Sequence, residues 1–272
     1  MPPAVLECVV NVSEGRDPEL IAVIVASACA ALLDLHSDPG HNRSVVTLGG
    51  PQAEEAARAV ATTAVELLDI GRHAGAHPRL GVVDVVPFVP LGGTSMEEAV
   101  AARDRFAAWA GSELGLPCFL YGPERSLPEV RRQAFAGLEP ATGPRVAHPT
   151  AGAACVGARA VLVAYNLWLV KGTPVEEARR VAAAIRGPEV RALGLRVGEW
   201  SQVSMNLVEP AALGPAQAYD LVAALAPVER AELVGLVPAS VLTATPAHRR
   251  EELDLDAGRT IEARMESAAA GW

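Results

Sequence analysis

The order of strand-like and helix-like segments constrains the fold of this chain more than any other feature. In the second half, the pattern predicts a strand over 158–170, a helix over 173–187, two strands that meet at Gly198, a helix over 214–226 and a strand over 231–238. This βαββαβ order is typical of a ferredoxin-like unit. The first half begins in the same order and then adds a helix and a strand. We therefore predict an α/β chain of the α+β type, built from two ferredoxin-like subdomains.

Helix-start signals place several of the predicted helices. Asp17 precedes Pro18 as an N-cap, and the pairs Ser95/Glu98 and Thr173/Glu176 have the spacing of a capping box. A stretch rich in proline and glycine over 127–159 has little periodicity. It is either a long ordered loop that carries a binding surface or a plain connection between the halves. We place the N-terminal subdomain at residues 1–157 and the C-terminal subdomain at residues 158–272.

Charge and hydropathy exclude some classes of function. The formal net charge of -9 argues against a surface that neutralises phosphates, so we expect no nucleic-acid partner. The longest uncharged stretch, Leu20 to Leu33, is shorter than the roughly 20 residues that a membrane helix needs, so we expect no membrane span. The N-terminal residues lack the features of a signal peptide. We therefore expect a cytoplasmic protein.

The four cysteines form no CxxC pair, which argues against a metal or redox motif. We interpret Cys8, Cys29, Cys118 and Cys155 as reduced thiols in the core. A nucleophilic role for Cys155 is the alternative, but no neighbouring motif would activate its thiol.

A short loop before a buried strand, "GRHAGAHPRLGVVDVVPFVP" at 71–90, is unusually rich in histidine, arginine and glycine. His73 and His77 have the spacing of a zinc-binding helix, but Gly75 and Pro78 argue against a helix here. His36 lies upstream, near His41, and these two histidines together with the loop pair would supply a four-histidine metal site. The alternative is that each is an ordinary hydrogen-bonded loop residue. Motifs for nucleotide binding and serine hydrolysis are absent.

Six stretches of the chain carry a resemblance to a known family. In order along the chain they are "ECVVNVSEG", "LLDLHSDPGHNRSVVTLGG", "HAGAHPRLGVVDVVPFVP", "GPRVAHPTAGAACVGARAVLVAYNLWL", "QVSMNL" and "ELVGLVP". They cover nearly the whole chain. The sequence resembles the formiminotransferase domain of the formiminotransferase-cyclodeaminase family.

The resemblance implies a function, a fold and a site. It implies transfer of a formimidoyl group from N-formimino-glutamate, or a related formimino donor, to N5 of tetrahydrofolate, which is a co-substrate, with no metal. It implies two ferredoxin-like subdomains with a folate tunnel between them and a homodimer formed through the N-terminal subdomain. His77, in the "HPR" triplet, matches the family's catalytic base. The family's folate loop matches "GPRVAHPTAG", with Gly143, Pro144, His148, Pro149, Thr150 and Gly152.

Further binding residues follow from the chemistry of the implied substrates, which both carry carboxylates. Arginine binds carboxylates through its planar fork, so Arg43 and Arg79 are the candidate anchors, with ordinary surface arginines as the alternative. Polar residues at strand ends are candidates for hydrogen bonds to the pterin or the substrate, although such residues often satisfy only backbone groups. These residues are Asn11, Ser13, Gln202, Ser204 and Asn206.

Three departures from the family pattern lie near the matched loops. His36 stands where the family has an acidic residue that is thought to assist catalysis, so His36 is a second catalytic candidate. Trp168 replaces a polar asparagine, and Ala141 and Thr142 replace an acid and an aromatic residue. These changes predict an altered donor. The alternatives are a related fold with other chemistry, including metal-assisted chemistry at the histidines, and a non-catalytic folate-binding protein.

Overall fold

The chain forms two compact units in the computed structural model, which describes residues 4–270. The first unit ends at Ala160 and the second begins at Val161. The predicted boundary, after residue 157, lies inside the strand Ala154–Ala158, which pairs with strands of the first unit. Mixed helices and strands in two sheets make this an α+β fold of two subdomains, as the pattern predicted.

The described part of the first unit has six strands and four helices. In chain order they are β1 (Leu6–Val12), α1 (Pro18–Ala26), β2 (Leu32–Asp38), β3 (Arg43–Gly50), α2 (Ala53–Leu67), β4 (Val83–Pro90), α3 (Met96–Glu113), β5 (Cys118–Tyr121), α4 (Leu127–Gln133) and β6 (Ala154–Ala158). Short 3-10 helices lie at Cys29–Ala31 and Ile70–Arg72.

The sheet of the first unit has the strand order β2-β3-β1-β4-β6-β5. The strands β2, β3, β1 and β4 pair in antiparallel fashion, in the order that a βαββαβ chain produces. The last two strands extend the sheet in parallel, with β6 between β4 and β5. Parallel strands need crossover connections, and α3 and α4 supply them.

The core of the first unit lies between one face of this sheet and the helices α1, α2 and α3. Alternate strand residues such as Val10, Val46 and Phe88 are fully buried there, against Val60 of α2 and Phe106 of α3. Small alanines on α2 and α3 bring both helices close to the strands. The opposite face of the sheet is therefore left for other contacts, and it carries Asn11 and Arg43.

Helix α4 and strand β6 correct the prediction of a long loop over 127–159. Seven residues form α4, which Ser126 and Glu129 cap, and its buried Val130 packs with Phe119 and Cys155 on the second face of the sheet. A helix this short covers about two turns and leaves no clear periodicity in the sequence. The small residues of β6 gave no strand signal either, because alanine and glycine have low strand propensity.

The second unit has one sheet in the order β10-β7-β9-β8, in which all neighbours are antiparallel. Its elements are β7 (Val163–Leu169), α5 (Val175–Ile185), β8 (Val190–Val197), β9 (Trp200–Leu207), α6 (Pro215–Ala223), β10 (Val228–Val234), α7 (Ala239–Ala244) and α8 (Ile261–Ala270), with 3-10 helices at Ala247–Arg249 and Ala257–Arg259. Tyr165, Leu167, Leu207 and Leu233 are fully buried in the core of this unit, on the sheet face that α5 and α6 cover.

The two predicted capping boxes have different outcomes. Ser95 and Glu98 form the predicted capping box at the start of α3. The box at Thr173 and Glu176 is wrong, because Pro174 occupies the N-cap of α5 and the Thr173 hydroxyl donates to the carbonyl of Val170. Since Pro174 holds an extended conformation, the helix begins one residue later than the spacing indicated.

The cysteines differ in exposure. Cys8, Cys118 and Cys155 are buried and free, whereas Cys29 is exposed, which corrects its assignment to the core. Burial raises the pKa of the Cys118 and Cys155 thiols to about 12, so neither thiol is ionised near neutral pH. A nucleophilic role for Cys155 therefore has no support. No helix within residues 4–270 is both long and apolar enough to cross a bilayer.

Candidate active site

The histidine-rich loop lies between the 3-10 helix Ile70–Arg72 and β4. It is an irregular segment, as Gly75 and Pro78 predicted. A side chain at Gly75 would collide with the carbonyl of His41, so the loop packs directly on the turn between β2 and β3. This packing brings His77 next to the first residues of β3.

Arg43 connects the loop to the sheet. Its guanidinium donates to the Asn11 side-chain oxygen from Nε at 3.0 Å and from Nη2 at 2.6 Å, and its Nη1 lies 2.7 Å from Nδ1 of His77. The same Nη1 lies 3.4 Å from the Asp84 carboxylate. Burial lowers the pKa of Arg43 to about 10 against the opposing effect of Asp84, so Arg43 is charged at neutral pH.

Asp84 reaches this face of the sheet through a break in the strand register. Asn11 pairs with Val85, whereas the next residue, Val12, pairs with Val83, so Asp84 is the extra residue of a β-bulge. A bulge redirects a side chain in this way. The carboxylate is 2% exposed, accepts from the backbone N–H of Leu80 at 2.8 Å, and pairs with Arg131 of α4 at 2.6 Å. One buried carboxylate therefore contacts two arginines.

His77 is half-buried and neutral. Its Nδ1 lies 2.8 Å from the carbonyl oxygen of Pro78, in addition to the contact with Arg43. Desolvation, followed by the positive charge of Arg43, holds the pKa of this imidazole well below its usual range, and Arg131 acts in the same direction. A neutral imidazole has a lone pair, so His77 can accept a proton at physiological pH.

A second group of side chains holds the rest of the loop in place. Arg79 contacts the ring of His73 and donates from Nε to the carbonyl of His77 at 3.0 Å. His73 Nε2 lies 2.7 Å from the carbonyl oxygen of Asn42, whose side chain accepts from the backbone of Gly15. Desolvation lowers the pKa of His73. The rings of His41 and His77 lie edge to face, 6.1 Å apart.

The predicted folate loop approaches the histidine loop through its last residues. Backbone hydrogen bonds join Val82 to Ala151 at 2.9 Å and Ala153 to Leu80 at 3.1 Å. Gly152 has a φ of 73°, and a side chain there would collide with the carbonyl of Leu80, so only glycine permits this approach. The residues of this loop that lie nearest to the histidine loop are therefore those of the turn 148–152.

The other residues of the predicted folate loop lie in two places, in the turn 148–152 and near the end of α3. His148 accepts from the backbone of Ala151 at 3.0 Å, and Pro149 and Thr150 are exposed in the same turn. Gly143 and Pro144 are exposed near the end of α3, where a side chain at Gly143 would collide with Leu116. Ser13 donates to the carbonyl of Gly81 at 2.8 Å, so it fixes the loop before β4.

The second unit carries its own polar cluster, on the sheet face away from α5 and α6. Side-chain N–H groups of Asn166 and Trp168 donate to the Glu232 carboxylate at 3.0 Å and 2.9 Å, and Gln202 lies 3.5 Å from the same oxygen. The Arg230 guanidinium stacks on the Trp168 ring at 4.3 Å. Trp168 is 5% exposed, so it is a packed member of a polar network.

Ser204 and Asn206 lie on the same strand face as Gln202, because side chains alternate along β9. In register they lie opposite Asn166 and Ala164. The three β9 candidates therefore form a single row on the second unit.

His36 lies on β2, opposite Val45 in the register, and it is partly exposed. Alternation places it on the same sheet face as Arg43, two positions along. Across residues 4–270, no three His, Cys, Asp or Glu side chains are arranged to hold a metal ion.

The structure adds residues that sequence reasoning missed. Asp84 and Arg131 contact the predicted site directly, and Glu232 joins the β9 row. Asp84 and Glu232 lie inside matched stretches, and a charged residue within an apolar strand is the signal that would have found them. Arg131 gave no signal, because nothing local relates it to Asp84, which lies 47 residues earlier.

The charged and titratable groups of this site indicate the class of chemistry that it can perform. A neutral, partly exposed imidazole beside a cluster of arginines is suited to proton transfer on an anionic substrate. The first unit thus carries groups suited to proton transfer, on one of two ferredoxin-like units.

Comparison with known proteins identifies the family. The model of the formiminotransferase domain, N-terminal subdomain, matches residues 5–159. A glutamate formimidoyltransferase of Thermoplasma acidophilum is 36% identical over 98% of this chain and 99% of its own length. One of Streptococcus pyogenes is 34% identical over 94% and 97%. The formimidoyltransferase-cyclodeaminase of Sus scrofa is 34% identical over 92% of this chain and 53% of its own length. The chain therefore belongs to the formiminotransferase family and is a transferase.

Proposed function

We propose that this protein transfers the formimidoyl group of N-formimino-glutamate to N5 of tetrahydrofolate, with His77 as the proton-transfer group. The names of the relatives support the reaction, and the neutral imidazole of His77 is the observation that carries the assignment of the base. N5 attacks the formimino carbon and forms a carbon–nitrogen bond. The resulting tetrahedral intermediate then breaks its bond to the glutamate nitrogen.

The proton balance of this reaction requires a group that first accepts and then donates. The attacking N5 carries a proton that must be removed, and the departing glutamate nitrogen must gain one. His77 performs both steps, because a neutral imidazole takes the proton from N5 and the imidazolium returns it to the leaving group. The low pKa of His77 favours the second step, since it makes the imidazolium a stronger acid.

We propose binding roles for one arginine and for two groups of folate-binding residues. Arg79 is the better candidate for a substrate carboxylate, because Arg43 already pairs with the buried carboxylate of Asp84, whereas Arg79 contacts the His77 carbonyl and the His73 ring. We propose that the turn 148–152 and the β9 row each contribute residues that bind folate. Metal ions have no role in this proposal.

Assembly and location also belong to the proposal. We propose a homodimer formed through the N-terminal subdomain, in the cytoplasm, that acts on small molecules and has no nucleic-acid or membrane partner. The net charge of -9 supports the absence of a nucleic-acid partner.

A turnover assay tests the reaction. The enzyme is mixed with tetrahydrofolate and N-formimino-glutamate, and the 5,10-methenyl product is measured after acid treatment. We expect turnover by the wild type and a loss of about 10²- to 10⁴-fold in His77→Gln, the usual range for removal of a general acid–base group. His248→Gln is the matched control, because His248 is exposed in the second unit. Full activity of His77→Gln would refute the assigned base.

A second assay addresses the altered donor. His36 has an imidazole where the family has a carboxylate. An imidazole cannot accept hydrogen bonds from the formimino nitrogen as a carboxylate does. Turnover of N-formimino-glutamate by the wild type would show that the acid is dispensable. If the wild type binds tetrahydrofolate without turnover and His36→Asp restores turnover, the donor is a different formimino compound.

A further inference from the structure

We propose that Arg131, held in place by Asp84, is a positioning residue that fixes which nitrogen of His77 carries the proton. The inference rests on the proposed function only in taking His77 as the base. Neither Arg131 nor Asp84 belongs to the candidates that the sequence provided.

The guanidinium group of Arg131 connects the histidine loop to Asp84 of the sheet. Its Nη1 donates to the carbonyl oxygen of Pro78 at 2.7 Å, and its Nη2 donates to Asp84 at 2.6 Å. The other oxygen of Asp84 accepts from the backbone of Leu80 at 2.8 Å. Arg131 and Asp84 therefore hold the segment from Pro78 to Leu80 at both ends, and this segment directly follows His77.

The position of the Pro78 carbonyl bears on the tautomer of His77. A carbonyl oxygen only accepts, so its 2.8 Å contact with His77 Nδ1 is a hydrogen bond only in the tautomer that carries the hydrogen on Nδ1 and the lone pair on Nε2. Arg43 competes for the same Nδ1 as a donor, which would favour the opposite tautomer. The same Nη1 of Arg43 has the Asp84 carboxylate, at 3.4 Å, as an alternative acceptor. By fixing the carbonyl, Arg131 favours the tautomer with Nε2 as the proton acceptor.

Desolvation and the charges around His77 both favour its neutral ring. Arg43 faces it from β3, Arg131 from α4, Asp84 from β4 and His41 from the turn after β2, while Arg79 bonds the carbonyl of His77 within the loop. Three arginines against one carboxylate give an excess of positive charge. An added proton on the imidazole is repelled by this charge, in agreement with the lowered pKa of His77.

Histidine tautomers and pKa values can be read by NMR of the full-length protein labelled with 15N-histidine, with His77 assigned from the His77→Gln spectrum. The test variant is Arg131→Met. The matched control is Arg132→Met, which removes the same charge from the exposed neighbouring position of α4. In Arg131→Met we expect a higher pKa for His77 and a mixture of tautomers. The acidic limb of kcat/KM against pH should move upward, and kcat should fall about tenfold or more.

Arg131→Lys separates the two effects and covers the case in which Arg131→Met does not fold. Lysine keeps the charge but lacks the fork, so the pKa of His77 should stay low while the Nε2–H tautomer becomes populated. A His77 pKa and tautomer that match the control in both variants, or an unchanged tautomer in the lysine variant alone, would overturn the proposal. If the wild type has no transferase activity, the proposed function fails, but the NMR measurements still decide this inference.

Discussion

Asp84 shows how much one residue contributes to the site. Its carboxylate is the anion that two arginines, Arg43 and Arg131, contact together, and it is almost completely buried. Removing one member of a buried ionic group leaves the others uncompensated, which costs more than the group contributes when intact. The bulge in β4 that aims Asp84 toward Arg43 is thus a requirement of the charge balance.

Asp84→Asn should therefore be strongly destabilising. The neutral amide leaves Arg43 and Arg131 without their counter-charge, and we expect the free energy of unfolding to fall by about 3 kcal/mol. Urea denaturation followed by circular dichroism measures the change. Glu139→Gln, at an exposed ion pair with Arg145, should change it by less than about 0.5 kcal/mol. Equal effects of the two substitutions would contradict this account.

The lowered pKa of His77 predicts a pH dependence of stability. The unfolded chain takes up a proton at this residue as the pH falls through about 6.5, whereas the folded protein resists it until a lower pH. The unfolded state then binds more protons, so the free energy of unfolding falls as the pH falls below about 6.5. His77→Gln should reduce this fall, and His73, which contributes with the same sign, remains in both proteins. Parallel curves for the two proteins between pH 7 and pH 5 would be evidence against a lowered pKa.

The sequence indicated some residues of the candidate site and missed others. His77 and Arg43 were named as candidates because each lies in a matched stretch, and in the structure their side chains lie 2.7 Å apart. Arg131 and Glu232 were missed because their roles depend on partners that are distant in sequence. A hydrogen bond between Asp84 and Arg131 follows from sheet extension and helix placement, which no local pattern encodes.

Elements with a strong local signal were predicted well, and those without one were not. The helices predicted over 173–187 and 214–226 are α5 (Val175–Ile185) and α6 (Pro215–Ala223), which lie within three residues of the prediction at each end. α4 and β6 are short or rich in small residues, so the sequence indicated a loop. The prediction failed where tertiary packing, on Phe119 and Val130, determines the structure.

Gly157 of β6 offers a test of how tightly β6 packs against β5. A methyl group there would overlap the ring of Tyr121, which is nearly buried on the neighbouring strand β5. Gly157→Ala should lower the free energy of unfolding by about 3 kcal/mol, because a packed core cannot absorb the added volume. Gly137→Ala is the control, since nothing lies within 4 Å of the added atom. Similar midpoints in urea for the two variants would mean that Tyr121 moves aside freely.

At the scale of the whole molecule, each unit has a sheet and a core of its own. Buried residues of the second unit, such as Tyr165 and Leu207, form a cluster separate from that of the first. The order of elements along the chain was enough to predict two such units, because each βαββαβ segment closes one sheet.

Separate cores predict that the second unit folds by itself. A chain of residues 161–272 should give a circular dichroism spectrum of mixed helix and strand and a single cooperative unfolding transition. Its length, about 110 residues, is within the usual range for a domain. A fragment that is unfolded in buffer would show instead that the second unit depends on the first.

The unequal exposure of the cysteines gives the protein a natural attachment point for probes. A maleimide dye needs an accessible thiolate, and among the four cysteines only Cys29 is exposed. Under native conditions, mass spectrometry should detect one adduct, and in denaturant four. A fluorophore could therefore be placed beside the sheet of the first unit without mutagenesis, at a site outside the histidine loop, and used to report ligand binding by the change in its emission.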